Sequence, residues 1–284
     1  MNQTKAKILL VFVFMARGTS FIFSKTLMHS LSPMNVLAIR FIIAFLVLAL
    51  VFHEKLRACS RESLKGGVVL GVLYTICMTF EMYGLRMIDS GVSSFIENMA
   101  IVLVPIYTAI LTKEPPKKIT MLCALMAIAG VGFLSHSQMT SGINSGIFLT
   151  IGAALTYGLC ILVTGNFAKK GDPITIGVLQ LGTMGVLSFI ISTSTGSFYL
   201  PSNGVQWGMI LMLALVCSCF GFTFQPVGQK YLPAETAAVF TVVNPLTASI
   251  AGVMAGETLG ISKVVGYAII LTALGIYNIK VSNL

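Results

Sequence analysis

Apolar stretches of roughly 17 to 25 residues, separated by short polar or charged breaks, recur from one end of this 284-residue chain to the other. A hydrocarbon core of about 30 Å requires helices of that length at a rise of about 1.5 Å per residue. The pattern predicts spans at 8–25, 34–52, 66–85, 91–112, 119–135, 146–167, 174–193, 206–225, 235–255 and 264–280. The expected fold class is therefore an all-α integral membrane protein with ten transmembrane helices.

The pattern repeats. Gly18 and Pro33 match Gly158 and Pro173 at an offset of 140, and Glu81-x-x-Gly84-x-Arg86 matches Gln225-x-x-Gly228-x-Lys230 at 144. Glu114 and Gly132 match Glu257 and Gly275 at 143. An offset that drifts so little predicts one five-helix unit made twice, over residues 1–142 and 143–284. Five is odd, so the second copy starts from the opposite side of the membrane and the repeats are inverted. The longest loops, around 53–65, 136–145 and 194–205, are too short to fold alone, which leaves function to the helices. Gly67 with Gly71 and Gly252 with Gly256 allow close helix packing, read as contacts within a monomer ahead of a weak homodimer.

Composition agrees with a bilayer setting: 56% of residues are hydrophobic, 10% are charged, and the mean hydropathy is +0.93. The net charge of +9 could suggest nucleic acid, but its distribution argues against that partner. With a cytoplasmic N-terminus, thirteen of the 18 basic residues fall on the inner side, and only Lys25, Arg86 and Lys263 on the outer. This bias predicts a multi-pass protein of the cell (inner) membrane, both termini cytoplasmic and the 136–145 loop outside. Lys5 and Lys7 before an apolar run imitate a signal peptide, yet Arg17-Gly18-Thr19-Ser20 interrupts the run, so an uncleaved first helix is expected. The six cysteines read as small packing groups rather than metal ligands or disulfides, since Cys217 and Cys219 diverge on a helix. No Ser/His/Asp set, paired-histidine motif or phosphate-binding glycine loop is present, which argues against an enzyme, a primary pump and any cofactor or metal.

Arg17, Arg40, Glu81 and Glu97 fall inside predicted spans at similar depth, about 10 Å from the outer end. Their second-repeat counterparts, Tyr157, Gln180, Gln225 and Thr241, are neutral. One reading pairs the four charges into a network that holds the first repeat together. The other places them on a substrate path, where a carboxylate would meet an arginine and an ammonium a glutamate. Tyr74, Met78 and Glu81 share one helical face at i, i+4 and i+7, and Asn244-Pro245 interrupts the ninth helix. Asn98 and Thr241 are weaker candidates. His29, His53 and His136 fall at loops or span edges, so a coupling proton would have to ride on Glu81 or Glu97.

Gly18-Thr19-Ser20-Phe21 with Lys25, Pro33 with Arg40, Gly84-Leu85-Arg86, and the Glu114 and Glu257 repeat endings resemble the EamA-like branch of the drug/metabolite transporter superfamily. The resemblance covers essentially the whole chain. It implies a ten-helix carrier with a central cavity between the repeats, often exporting amino acids or other small metabolites, with membership leaving the substrate open. It also places Arg40 near a helix end, as a structural ion-pair candidate. Arg17 stands where such proteins commonly carry tryptophan. The expected function is a secondary transporter exporting amino acids or related metabolites by alternating access. A carrier of cationic amines or drugs, or a channel, is the alternative. The candidate substrate-binding residues are Arg17, Tyr74, Met78, Glu81, Glu97, Tyr157, Gln225 and Asn244, and the expected partners are a small-molecule substrate, the lipid bilayer and a coupling proton.

Overall fold

The computed structural model describes residues 1–113, 118–136 and 145–282. Glu114, one half of the repeat-ending match, and the 136–145 loop beyond His136 and before Ser145 lie outside the described residues. The main helices are α1 (Gln3–Leu27), α2 (Pro33–Val51), α3 (Arg61–Leu85), α4 (Ser90–Thr112), α5 (Lys118–His136), α6 (Ser145–Lys170), α7 (Pro173–Ser194), α8 (Gly204–Gln229), α9 (Ala234–Met254) and α10 (Ile261–Ser282). A short helix, His53–Arg57, joins α2 to α3. All but α5 and α10 are long and apolar enough across their described residues to cross a membrane.

The surface is apolar like the interior, and the interior also holds charged and amide groups. Ile8, Phe12, Leu50, Val186, Ile190 and Ile250 are each more than half exposed, whereas Arg17, Arg40, Glu81, Glu97, Gln180 and Gln225 are buried. Apolar side chains meet lipid, and polar ones can survive only where the protein itself surrounds them.

Local chemistry sets the helix starts. Ser32 accepts from Asn35 N at 3.2 Å ahead of Pro33, and Asp172 accepts from Thr175 N at 2.9 Å ahead of Pro173. A capping oxygen satisfies an orphan N–H, and proline in the first turn has none to waste. Two helices are broken: the ninth, where Asn244-Pro245 predicts an interruption, and the fourth, where a continuous span is expected. α4 turns at Asn98–Met99 between Ser90–Glu97 and Ala100–Thr112, and α9 turns at Thr241–Val242 between Ala234–Phe240 and Val243–Met254. In α9 the break precedes Asn244-Pro245: Pro245 has no N–H for the Thr241 carbonyl, which instead accepts from Asn244 N at 2.9 Å. α8 widens to a π-helical stretch over Leu213–Phe220.

Helix packing follows a paired scheme. α3 lies on α6 as α1 lies on α8, α3 on α7 as α2 on α8, and α4 on α6 as α1 on α9, while α2 meets α7, α4 meets α9 and α5 meets α10. Glycines mark the close approaches. A Cβ at Gly84 would lie 3.0 Å from the Gly146 carbonyl, and one at Gly228 would press on Leu10, 3.5 Å from the Ala6 carbonyl. Gly18 faces the Asn244 carbonyl at 2.6 Å by the same measure, and Gly158 faces Tyr107 at 2.9 Å. Gly84 and Gly228 are 144 residues apart and Gly18 and Gly158 are 140 apart.

Candidate functional site

The site forms where α1, α3, α4, α6 and α8 meet. α1 can carry Arg17 into it because α8 presents no side chain at Gly221, where a Cβ would stand 2.8 Å from Arg17 Cγ. The guanidinium then sits among three aromatic rings, 4.4 Å from the Phe222 centroid, 4.9 Å from Tyr157 and 5.8 Å from Tyr74. Ring faces attract a cation, and each such contact is worth on the order of 1 kcal/mol, more when dry. Nη1 donates to Gln225 Oε1 at 2.6 Å and to Tyr157 Oη at 3.2 Å.

Arg40 is also buried and is held by hydroxyls. Its Nε donates to Ser218 Oγ at 3.1 Å and Nη1 to Ser24 Oγ at 3.5 Å, with the Phe41 ring 4.7 Å away. Among the described residues no carboxylate lies within 4.0 Å of Arg17 or Arg40. The equal depth of the four charges therefore does not bring them into direct ion pairs here. Arg17 turns toward α6 and α8 through the gap at Gly221, and α4 breaks one residue after Glu97, so depths counted along straight helices do not become contacts.

The two glutamates, one on α3 and one on α4, are each 2% exposed and feel each other's charge. Arg17 is close enough to act electrostatically on both, and Arg40 on Glu81. Glu81 Oε2 and Glu97 Oε1 have no hydrogen-bond partner, and neither do Tyr74 Oη, Gln225 Nε2 and Asn244 Oδ1. An unmet buried polar atom costs about 1–3 kcal/mol, and native structures hold few of them. Five on one set of neighbouring helices make a polar interior able to receive both hydrogen-bond donors and acceptors.

Thr241 Oγ1 donates to Asn98 Oδ1 at 2.5 Å, joining the two helix breaks. Asn244 stands on α9 where that helix meets Gly18, the residue after Arg17. Met78 is buried on the same α3 face as Tyr74 and Glu81. Gln180, counterpart of Arg40, donates from Nε2 to the Phe222 carbonyl at 2.9 Å. The pattern of polar residues does not point to Phe222, Ser218 or Ser24; Gly221, a small residue beside the cation's path, is the signal that could have located Phe222.

The chain matches the model of the EamA-like transporter family over residues 4–136 and 144–279. It is 26% identical to an uncharacterized transporter of Archaeoglobus fulgidus over 93% of this chain and 82% of that one. It is 23% identical to the uncharacterized transporter YyaM of Bacillus subtilis over 94% and 92% of the two chains. A solved crystal structure shares its fold with a TM-score of 0.71 at 13% identity, covering 99% of this chain and 98% of the other. The chain belongs to the EamA-like transporter family and, by its apolar helices, is a multi-pass membrane protein.

Proposed function

We propose that this protein is a secondary carrier that exports amino acids or related amphoteric metabolites across the cell membrane by alternating access. The observation that carries the reading is the coexistence, inside one buried site, of the Arg17 cation with no carboxylate within 4.0 Å among the described residues and of two carboxyl groups with unpartnered oxygens. A substrate bearing both a carboxylate and an ammonium matches both. Arg17 would receive the carboxylate, Glu81 and Glu97 the ammonium, and Tyr74, Gln225 and Asn244 the remaining polar atoms, with Met78 and the rings as apolar walls.

Ten membrane-spanning helices in two inverted repeats, 1–142 and 143–284, supply the mechanism. This reading is supported by the paired packing scheme and by the matched glycine contacts of Gly84 with Gly228 and Gly18 with Gly158. Rocking one repeat against the other would expose the shared site to each side in turn. The charge distribution favours both termini in the cytoplasm, and a monomer suffices. Glu81 and Glu97, buried carboxyls among the candidate site residues, are the place for a coupling proton.

A carrier of cationic amines is the second reading, favoured by the unpartnered Glu81 and Glu97 oxygens alone. Purified protein in liposomes separates the two. Pools of labelled amino acids and amines are offered with and without a pH gradient, against Arg17→Gln. Amino-acid flux lost in the variant supports the first reading; amine flux that persists in the variant favours the second; no flux of either refutes both.

A further inference from the structure

One end of the bundle is tied by ions. Lys25 near the end of α1 pairs with Asp89, the N-cap of α4, at 3.4 Å and with Glu257, past the end of α9, at 3.1 Å. Asp89 also pairs with Lys263 at the start of α10, and Lys263 in turn donates to the Thr258 carbonyl at 2.6 Å. Glu257 reaches onto the first turn of α4, accepting from Ser90 N at 2.8 Å and Ser90 Oγ at 2.6 Å. Four elements from both halves of the chain thus share one cluster. The cluster lies over the site: eight residues along α1 separate Lys25 from Arg17 and seven along α4 separate Ser90 from Glu97, about 12 and 10 Å at helical rise.

The matching place at the other end is built differently. The counterpart of Lys25 is Gly165, that of Asp89 is Pro233, which likewise caps its helix, and that of Ser90 is Ala234. Lys263 corresponds to Thr120. Gly165 faces Ala234, whose methyl would meet a Cβ there in ordinary van der Waals contact at 3.9 Å. Glu114, the counterpart of Glu257, lies outside the described residues, but no basic residue stands at either matching position to pair with it.

We propose that the Lys25–Asp89–Glu257–Lys263 cluster is a latch: access to the Arg17 site from this end requires the ion pairs to separate, whereas the matching positions at the opposite end, Gly165, Pro233 and Ala234, hold no ion pair to break. The two gates of an otherwise two-fold carrier then carry unequal energies. In the resting molecule the site is shut toward the latch. This rests on the carrier reading above, but its test needs no substrate and so fails or succeeds apart from any assignment of cargo.

Ser94, buried on α4 between latch and glutamates with an unpartnered Oγ, serves as the reporter. Ser94→Cys, in a background with the six cysteines replaced, is exposed from the latch face to a membrane-impermeant cationic methanethiosulfonate. Lys25→Ala and, independently, Asp89→Asn should each raise the labelling rate from that face at least several-fold, while Lys25→Arg keeps it slow. Lys55→Ala, which breaks the Lys55–Asp172 pair at the other end, should leave that rate unchanged. Labelling at the parental rate in both latch variants, or an equal rise in Lys55→Ala, would overturn the proposal.

Discussion

Arg17 and Tyr157 occupy matching places 140 residues apart, and they touch: Arg17 Nη1 donates to Tyr157 Oη at 3.2 Å. One residue from the second such pair, Glu97 and Thr241, Asn98 Oδ1 accepts from Thr241 Oγ1 at 2.5 Å. Counterparts under a two-fold relation can meet only beside its axis, so these contacts place the axis of the proposed repeat through the buried polar site. The symmetry is broken there by chemistry, since a guanidinium faces a phenol.

Tyr157→Phe keeps the ring under the guanidinium and removes one hydrogen bond to a charged group. It is expected to lower unfolding stability by about 1.5–3 kcal/mol. Arg17→Met should cost no more, because removing the cation also removes its burial penalty. Chemical unfolding in detergent, read by tryptophan fluorescence, measures both. A Tyr157→Phe protein as stable as the parent would mean that the hydroxyl is not a partner of Arg17.

Neutralising the carboxyls distinguishes a path from a brace. With no arginine within 4.0 Å, Glu81→Gln and Glu97→Gln break no direct ion pair, so each is expected to fold with a melting temperature within a few degrees of the parent. Flux, or its response to a pH gradient, should fall by tenfold or more. Normal flux and pH response in both variants would remove the functional reading. A large loss of stability in the single variants, recovered when Arg17 or Arg40 is neutralised too, would restore the brace.

Gly18→Ala forces a methyl to within 2.6 Å of the Asn244 carbonyl, a backbone atom that cannot swing aside. It is expected to destabilise by about 1–3 kcal/mol by overpacking. Gly208→Ala on α8 meets nothing within 4 Å and should leave stability unchanged or raise it by up to about 1 kcal/mol. Thermal unfolding of the two variants side by side is the check, and equal behaviour would refute the close approach of α1 to α9.

Hydropathy and the offset matches carry the membrane setting and the family, because both depend on segment length and residue order, which the sequence states directly. They also select Arg17, Tyr157, Gln225 and Tyr74, which meet in one cluster. They do not reveal that Arg17 would bond its own counterpart, nor that Lys25, Asp89, Glu257 and Lys263 would converge. Those contacts span 64 to 232 positions and depend on which face of each helix turns inward. On an apolar helix that faces lipid on one side and protein on the other, the periodic signal that would report the face is weak. The turn at Thr241–Val242 is announced by Asn244-Pro245, whereas the break at Asn98–Met99 carries no such signal, since tertiary contacts compensate the lost backbone bonds.

Asp172, outside the membrane-spanning segments, gives a pH test. Burial alone would push its carboxyl up, but Thr175 N at 2.9 Å, Thr175 Oγ1 at 2.8 Å and Lys55 Nζ at 3.0 Å outweigh it and hold the group below the ordinary aspartate range. A lowered value in the folded state means stabilisation that is present above the unfolded value of about 3.9 and lost as the pH falls through the folded one. Asp172→Asn should therefore melt lower than the parent near neutrality, with the gap closing as the pH falls through the lowered folded value. A constant gap between the two melting curves down to pH 2.5 would contradict this.

The last prediction fixes which end faces the cytoplasm. Lys25, Asp89, Glu257 and Lys263 share one end of the bundle, and there Asn35 Nδ2 also donates to the Tyr199 carbonyl at 2.6 Å, tying the α2 start to the α7–α8 loop. Lys55 and Asp172 meet at the end reached by the α2–α3 and α6–α7 connections. The excess of basic residues falls on that second end, so it is expected in the cytoplasm. Ser202→Cys, exposed in the α7–α8 loop, should react with an impermeant thiol reagent added to intact cells, and Arg57→Cys only after the membrane is opened. Both ends must report, because a tangle of mixed orientations would label each site partially from either side. Arg57→Cys reacting in intact cells while Ser202→Cys is protected would invert the orientation, place the ion cluster in the cytoplasm and turn the latch toward the inner side.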